Sequence, residues 1–508
     1  MICKNSIIRT CIALTFVGIG LIACKKKAAE EVINPEKDLP KPNVIQAVAA
    51  RSVNNFEFLK GADISHVTMM EQQNRLFFNT TDQQDLFLLL KQRGLNSIRL
   101  RVWVNPAGPY YYSGITDVVA KALRAKAAGL SVMLSFHYSD SWADPSQQNI
   151  PAAWTSYTLA QMKTALANHT TDCLNALKAN GITPKYVQIG NETDYGMLWP
   201  MADIRIAGNM ANYAALHKAG YDAVKAVDPS IKVMVQFSKG YDNGNCKAVL
   251  NGLIANTATF DVVGISVYPV LETYDTNIEA SLDNLEDLVA TYNKEVMVVE
   301  CGYYQNDPKR TREMIFRLLD GVHALADQKG LGVYYWEPQY YHRPPINKST
   351  FDATTKSPTL GLDGFSLVKN PGFEVDEAAA TSPAQWQTAG SNPDANYLES
   401  NPHTGSYRLT HFKNSGYNVE TNQTITGLTN GMYTLQAWVR SGTGLLENYL
   451  FARDFGGVQM KVDISPGSTW TKLKIENINV SNGQCVIGVY TRGNNIYSSV
   501  DNFQFYKQ

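Results

Sequence analysis

The chain has 508 residues, of which 44% are apolar and 18% are charged, and its formal net charge is −1. This length predicts two folded domains besides any targeting segment, and the composition indicates a globular protein rather than a disordered one. The near-neutral charge excludes nucleic acid as the main partner on electrostatic grounds.

The first residues have the pattern of a bacterial lipoprotein signal. Lys4 and Arg9 form a short basic region, and an apolar run extends from Cys11 to Ala23. The run is shorter than the roughly 20 residues of a membrane helix and has the length of a signal h-region. It leads into Cys24 with the lipobox-like sequence Leu-Ile-Ala-Cys. Residues 1–24 are therefore predicted to be a lipoprotein signal with Cys24 as the acylated residue, and a plain secretory signal is the alternative.

Residues 25–55 are charged, contain proline and show no periodicity, so they predict a flexible tether. Lipidation would place the protein on the bacterial outer membrane, at the cell surface or on the periplasmic face. The remaining cysteines are Cys173, Cys246, Cys301 and Cys485. Their spacing fits neither a metal site nor a disulfide framework.

Residues 56–365 alternate between apolar runs typical of strands and amphipathic runs typical of helices. The eight strand-like runs are Leu59–Ser65, Leu95–Val104, Leu130–His137, Tyr186–Glu192, Ile231–Lys239, Asp261–Pro269, Glu295–Gly302 and Gly332–Pro338. This alternation predicts a (β/α)8 TIM barrel of the α/β class. An open doubly wound sheet is the alternative, weakened because no glycine-rich phosphate loop follows the first run.

Residues 366–508 lack the helical periodicity. Short alternating runs are separated here by turns rich in Gly, Asn and Ser. They predict an all-β sandwich domain.

Glutamates end the fourth and seventh strand-like runs, at Glu192 and Glu300. Active sites of such barrels gather at the carboxyl ends of the strands. Hydrolysis of a glycosidic bond needs two carboxyl groups, and a separation near ~5 Å permits the retaining route. The pair therefore predicts a glycoside hydrolase. In the alternative reading, one glutamate is the ion-pair partner of Arg99 or Arg101, which alternation places on one strand face with Trp103.

Five segments carry a resemblance to a known family. They are Gly61–Ser65, Arg99–Pro106, Phe136–Pro145, Gln188–Glu192 and Tyr335–Pro338. Over about residues 56–364 they resemble glycoside hydrolase family 53, the endo-β-1,4-galactanases of clan A. The long segment around His137 is the specific one, because Asn191-Glu192 is a pair common to the whole clan.

The resemblance implies a retaining endo-acting hydrolase of β-1,4-galactan, the type I arabinogalactan side chain of pectin, with no required cofactor. It implies that Glu192 is the acid/base and Glu300 the nucleophile, and that Asn191 bonds the sugar 2-hydroxyl. Arg101 and Tyr268 would orient the nucleophile.

Other residues of the same segments are implied to form the cleft. Trp336 would be a platform for the sugar at the cleavage point, and His137, Asp140 and Trp142 would line the same cleft. Packing at the barrel mouth is the alternative for Trp142 and Trp336. Some family members bind calcium after the seventh strand, but the loop Cys301–Pro308 here has a single carboxylate, so we expect no metal in the barrel.

The sandwich resembles jelly-roll carbohydrate-binding modules from Asn370–Glu374 at its start to Val500–Phe503 near its end. The resemblance makes Glu374 and Asp501 candidates for a structural calcium. Rings available to bind a glycan are Trp386, Tyr397, Phe412 and Tyr417, whereas Trp438 and Trp470 are predicted to lie in the core. A spacer that only packs against the barrel is the alternative.

Two other functions stay open from the sequence. One is a different clan A activity, such as mannanase or xylanase, and the other is a non-catalytic glycan-binding lipoprotein. We expect a monomer whose partners are the polysaccharide substrate and, through the lipid, the membrane.

Overall fold

The computed structural model describes residues 57–79, 82–108, 111–342, 347–376 and 380–508, which belong to one compact unit. The predicted signal with Cys24 and the predicted tether lie outside the described residues. Within those residues, no helix has the length and apolar character needed to cross a membrane.

Eight parallel strands close into a barrel, in the order β1-β8-β7-β6-β5-β4-β3-β2. They are β1 Leu59–Asp63, β2 Ser97–Val102, β3 Ser131–Phe136, β4 Tyr186–Ile189, β5 Lys232–Phe237, β6 Val262–Val267, β7 Glu295–Cys301 and β8 Gly330–Trp336. Asp63 of β1 pairs with Trp336 of β8 on one side and with Arg99 of β2 on the other. This closure confirms the barrel and shows that the open doubly wound sheet is wrong.

Helices cover the outside of the barrel. They are α1 Val67–Gln72, α2 Leu86–Gln92, α3 Ile115–Ala127, α4 Leu159–Ala179, α5 Asn209–Val227, α6 Asn243–Ala255, α7 Tyr274–Tyr292 and α8 Pro308–Ala324. Because helices cover the strands outside and packed side chains fill the barrel inside, the strands read as continuous apolar runs.

An apolar layer fills the end of the barrel where the strands begin. It contains Met133, Met234, Met297 and Tyr334. Gly61 makes room for it, since a Cβ there would lie 2.2 Å from the Tyr334 ring. The charged side chains of Asp63, Arg99 and Arg101 lie further along their strands, toward the opposite end of the barrel.

The C-terminal part consists of two five-stranded antiparallel sheets, ordered β9-β12-β17-β14-β15 and β10-β11-β18-β13-β16. The strands are β9 Gln387–Ala389, β10 Asn396–Glu399, β11 Arg408–His411, β12 Gly416–Thr426, β13 Gly431–Ser441, β14 Glu447–Arg453, β15 Met460–Asp463, β16 Gly467–Val480, β17 Gln484–Asn494 and β18 Ser498–Lys507. The all-β prediction is confirmed.

The aromatic residues of the sandwich depart from the sequence prediction. Trp386 and Tyr417 are 5% and 4% exposed and pack in the interior. Trp438 and Trp470, predicted to lie in the core, are half-buried, and Trp438 stacks on His403 with ring centroids 3.9 Å apart. Strand alternation alone does not say which of the two faces of a sheet is covered, and this is the reason for the error.

The sandwich is packed directly on the barrel. Gln504 Nε2 donates to Asn79 Oδ1 at 3.3 Å, and Lys472 Nζ lies 2.6 Å from Asp82 Oδ2. The ammonium group of Lys369 lies 4.2 Å from the centre of the Phe316 ring. The predicted boundary near residue 365 follows the 3-10 turn Leu360–Phe365.

Candidate active site

A cavity of about 350 Å³ opens where the barrel strands end. Its lining residues are Asp63, Arg99, Arg101, His137, Trp142, Ala143, Asp144, Gln147, Asn191, Glu192, Tyr268, Glu300, Trp336 and Lys348. The cavity thus brings together both predicted catalytic glutamates and all of the predicted substrate-binding residues except Asp140.

Glu300 lies on β7 and is held by three side chains from other parts of the barrel. The Arg99 guanidinium is 2.8 Å from its Oε1, and the Tyr268 hydroxyl donates to its Oε2 at 2.8 Å. Gln236 Nε2 donates more weakly to Oε1, at 3.4 Å. Arg99 is fixed in turn by Asp63, whose Oδ2 lies 2.7 Å away. This carboxylate is therefore fixed in position and surrounded by donors.

Glu192 follows β4 by three residues and has a left-handed backbone, with φ of 46°. Its N–H donates to Gln236 Oε1 at 3.0 Å, and its Oε1 accepts from the Ser266 hydroxyl at 2.9 Å. Ser266 stands at an irregularity in the pairing of β6 with β7. Gln236 also donates to Ser266, at 2.8 Å. A short chain of side chains therefore connects the two glutamates.

The two carboxyl groups differ in their electrostatic surroundings. Burial, and then the nearby charge of Glu300, raise the pKa of Glu192 well above its ordinary value. Burial also raises the pKa of Glu300, but the Arg99 cation and the hydrogen bond from Tyr268 oppose that rise. Glu300 is therefore the group that ionises first, and Glu192 is the group that keeps its proton.

Arg101, which was predicted to orient the nucleophile, contacts Glu337 and Trp142 in the structure. Its guanidinium lies 3.6 Å from Glu337 Oε1 and stacks 4.1 Å from the centre of the Trp142 ring. Glu337 also accepts from His66 Nδ1 at 2.7 Å. Although burial opposes it, His66 and Arg101 hold the pKa of Glu337 at about 2. The cation that faces Glu300 is Arg99.

Asp140 stands outside the cavity, which corrects its predicted place in the cleft. Its Oδ1 accepts from Asn105 N at 2.9 Å, and its Oδ2 accepts from Ala152 N at 2.8 Å. Both oxygens are used to join the loops that follow β2 and β3. Asp140 therefore holds together the loops beside the site without lining the cavity itself.

Asn191 and His137 do face the cavity. Asn191 Oδ1 accepts from Arg99 Nη2 at 2.8 Å, and its Nδ2 donates to Ala143 O at 2.8 Å, which fixes the amide orientation. His137 Nδ1 accepts from Ala143 N at 3.1 Å, so its Nε2 carries the proton. Burial, and then Arg101 and Arg99, lower the pKa of His137 well below its ordinary value, so it is a neutral donor.

Two tryptophans border the cavity. The rings of Trp142 and Trp336 have centroids 6.2 Å apart and planes inclined by 57°. Tyr268 meets Trp336 edge-on at 6.5 Å. Flat apolar faces beside hydroxyl-binding groups are suited to the alternating apolar and polar surfaces of a sugar.

Sequence reasoning missed several residues of the site. They are Asp63, Asp144, Gln147, Gln236, Ser266 and Lys348, together with the role of Arg99. Alternation along β2 already placed Arg99 inside the barrel with a need for a carboxylate partner. No local signal separates Gln236 or Ser266 from ordinary polar residues of strands.

No metal-binding cluster of three or more His, Cys, Asp or Glu side chains occurs in the part of the chain that the structure describes. The single carboxylate after β7, Asp307, accepts from Arg310 N at 3.0 Å and caps α8. The carboxylate of this loop is therefore engaged at the N-terminus of α8.

A (β/α)8 barrel whose aromatic-bordered cavity holds two carboxyl groups that differ in how readily they ionise has the features of a glycoside hydrolase. The family model for glycosyl hydrolase family 53 matches residues 59–382. The chain belongs to this family.

Two relatives with names that state an activity are similar to this chain. An arabinogalactan endo-β-1,4-galactanase of Thermothelomyces thermophilus is 34% identical over 319 residues, covering 58% of this chain and 93% of the relative. A probable enzyme of the same name from Aspergillus fumigatus is 33% identical over 315 residues, 58% of this chain and 87% of the relative.

Two solved structures also resemble this chain. A fungal β-1,4-galactanase is 31% identical with a TM-score of 0.55 and covers 60% of this chain and 98% of its own. The family 53 catalytic domain of Ignisphaera aggregans is 27% identical with a TM-score of 0.56 and covers 64% of this chain and 99% of its own.

Proposed function

We propose that this protein is a retaining endo-β-1,4-galactanase acting on the type I arabinogalactan side chains of pectin. The observation that carries the proposal is the pair Glu192 and Glu300, which face one cavity and differ in how readily they ionise. Membership of family 53 and the names of the relatives support the substrate.

In this proposal, hydrolysis follows the two steps of double displacement. Glu300 attacks the anomeric carbon while Glu192 gives its proton to the departing glycosidic oxygen, leaving a galactosyl ester on Glu300. Glu192, now ionised, then takes a proton from a water molecule that attacks the same carbon and frees Glu300. Arg99 and Tyr268 keep the Glu300 carboxylate ionised and aimed before the attack.

Reducing-sugar release from galactan, mannan and xylan tests the substrate. We expect turnover of galactan only; hydrolysis of mannan or xylan at a comparable rate would favour another clan A activity, and no hydrolysis would favour a glycan-binding protein.

Single replacements test the catalytic roles. Glu192→Ala and Glu300→Ala should each lower turnover by about 10³-fold or more while the protein stays folded. With azide, Glu300→Ala should form a glycosyl azide of inverted configuration, because the small anion replaces the carboxylate. Asp144→Ala, also in the cavity wall, should form none.

We further propose a lipid-anchored monomer on the outer membrane, attached through Cys24. The lipobox-like sequence before Cys24 supports this. Cys24→Ser should move the protein into the soluble fraction, as judged by fractionation of cells, and retention in the membrane would point to another anchor.

The sandwich domain, in this proposal, binds galactan on the outer face of the sheet that contains β14 and β17. Tyr449 and Tyr490 lie side by side there, half-buried, with ring centroids 5.2 Å apart. Arg453 forms two hydrogen bonds with Glu420, at 2.9 and 2.7 Å, beside them. Adjacent rings with a charged hydrogen-bonding pair support a glycan surface.

Tyr449→Ala and Tyr490→Ala should reduce retardation in a gel containing galactan and leave hydrolysis of short galacto-oligosaccharides unchanged. Trp470→Ala, on the other sheet, is the matched control. Loss of retardation only in Trp470→Ala would assign the binding surface to that sheet, and a spacer would show no retardation in any variant.

A structural calcium in the sandwich is also proposed, between Glu374 and Asp501. Burial, and to a lesser extent Glu374, raise the pKa of Asp501 well above its ordinary value, which a cation would reverse. Both Asp501 oxygens already accept backbone N–H groups, from Asn502 and from His403 and Thr404. Ligation would therefore require these loops to rearrange, and an equal thermal midpoint with calcium and with chelator would reject it.

A further inference from the structure

A second cavity lies at the opposite end of the barrel from the glutamates, between the barrel and the sandwich. Its volume is about 330 Å³. On the barrel side it is bordered by the start of β1 and by the turn before β2, and on the sandwich side by residues near the ends of β13 and β18. It shares no lining residue with the catalytic cavity.

Lysines from both domains line this cavity. Lys60 and Lys91 come from the barrel, and Lys369 and Lys507 come from the sandwich and the segment before it. None of the four forms a salt bridge with a carboxylate in the described part of the chain; Lys91 donates to the carbonyl of Gly129 at 2.9 Å.

The acidic residues of the lining do not balance these cations. Two carboxylates, Glu57 and Asp320, border the cavity. Glu57 is engaged by Lys185 outside the cavity, at 2.8 Å. The local charge is therefore positive.

Burial increases the free-energy cost of this excess positive charge. Burial, and then repulsion from Lys369, lower the pKa of Lys60 to about 8. Burial lowers the pKa of Lys91 as well, an effect that Glu57 opposes and Lys507 reinforces. An anion in the cavity would offset the cost of keeping the Lys60 and Lys91 ammonium groups charged there.

We propose that this cavity binds a phosphate group, with Lys60, Lys91, Lys369 and Lys507 as its ligands. Lysine is a compact point charge, and a tetrahedral dianion accepts hydrogen bonds from several directions at once, so a cavity lined by four lysines suits it. A carboxylate brings one charge and two oxygens, which leaves part of the excess uncompensated.

Two sources could supply this group: soluble phosphate or the phosphomonoester headgroup of a lipid. Glu57, the first described residue, lines the cavity. If Cys24 carries the proposed lipid, this end of the barrel is the one attached to the membrane.

Thermal unfolding with and without inorganic phosphate, at constant ionic strength, tests the site. Phosphate should raise the midpoint by about 2 °C or more over chloride. Lys60→Met and Lys369→Met should each abolish this response. Because Lys60 has no carboxylate partner in the described residues, Lys60→Met should leave the phosphate-free protein at least as stable as the parent. Lys369→Met also loses the contact with the Phe316 ring, so for this variant only the phosphate response is compared.

Lys474→Met, a lysine exposed on the sandwich and absent from the lining, is the matched control and should keep the response. Hydrolysis of soluble galactan should be unchanged in all three variants. No response in the parent protein, or an equal response in Lys60→Met, would overturn the proposal.

A shortened protein that begins at Lys25 distinguishes the two sources of the phosphate group. It lacks Cys24 and therefore cannot be acylated there. Sedimentation with phosphatidylcholine vesicles containing phosphatidic acid, but not with pure phosphatidylcholine, would identify a lipid headgroup. A phosphate response without such sedimentation would identify soluble phosphate, and absence of both would reject the site.

Discussion

At the scale of single residues, the catalytic roles proposed for the two glutamates depend on the different hydrogen bonds that they receive. Tyr268 and Arg99 act on Glu300, whereas Ser266 acts on Glu192. A hydrogen bond to the ionised form of a carboxyl group lowers its pKa. The acidic and the alkaline limbs of the profile of kcat/KM against pH can therefore be shifted separately.

Removal of the Tyr268 hydroxyl in Tyr268→Phe should raise the pKa of Glu300. Because Glu300 must be ionised to attack, the acidic limb of the profile of kcat/KM against pH should move to higher pH. Loss of one hydrogen bond to a charged group costs about 1.5–3 kcal/mol, so kcat/KM should fall by roughly 10–100-fold. Tyr335→Phe, whose hydroxyl donates to Lys348 O instead, should leave the profile in place.

Ser266→Ala should move the other limb. Ser266 donates to Glu192 and lowers its pKa, so its loss should raise that pKa further. Glu192 must be protonated to act as an acid, and the alkaline limb should therefore move to higher pH. Ser97→Ala, at the far end of the barrel beside Tyr334, serves as the control. An unchanged alkaline limb in Ser266→Ala would contradict the assigned contact.

At the scale of elements, the barrel depends on the pairing of its first and last strands. Gly332 of β8 pairs with Leu59 of β1 and has a φ of 153°. A Cβ there would lie 2.2 Å from the Leu59 carbonyl oxygen. Only glycine permits this approach of the two backbones.

Gly332→Ala should destabilise the protein by about 2 kcal/mol or more, because the closing strands would have to separate. The midpoint of urea unfolding measures this. Gly416→Ala, in sandwich strand β12, is the control, since a Cβ there meets nothing within 4 Å. Equal midpoints for the two variants would show that the closure tolerates the added methyl group.

At the scale of the whole molecule, barrel and sandwich form one unit rather than two tethered domains. The contacts of Gln504 with Asn79 and of Lys472 with Asp82 join them directly. Deletion of the sandwich would therefore expose packed surface on the barrel. Point variants such as Tyr490→Ala test glycan binding more cleanly than deletion does.

This packing predicts one cooperative thermal transition. In calorimetry, the barrel variant Gly332→Ala should shift the whole unfolding peak to lower temperature, since the sandwich loses its support when the barrel opens. Two peaks, of which one keeps its position in the variant, would mean that the sandwich folds independently.

The sequence by itself determined the order of elements and the location of the catalytic pair. Apolar periodicity is local, so the eight barrel strands and the all-β character of the C-terminal part could be predicted from short windows. Glu192 and Glu300 were identified because each follows an apolar run, and parallel strands bring such ends to one face of a barrel.

Only the tertiary structure decided which partners meet. Arg99 and Arg101 have the same side-chain direction along β2, but the register with β1 places Arg99 beside Asp63, within reach of Glu300. Arg101, one alternation further along, reaches Glu337 instead. The exposure of Trp438 was decided in the same way, by what packs on each face of its sheet. Such pairings join residues far apart in sequence, and no local pattern encodes the register of one strand against another.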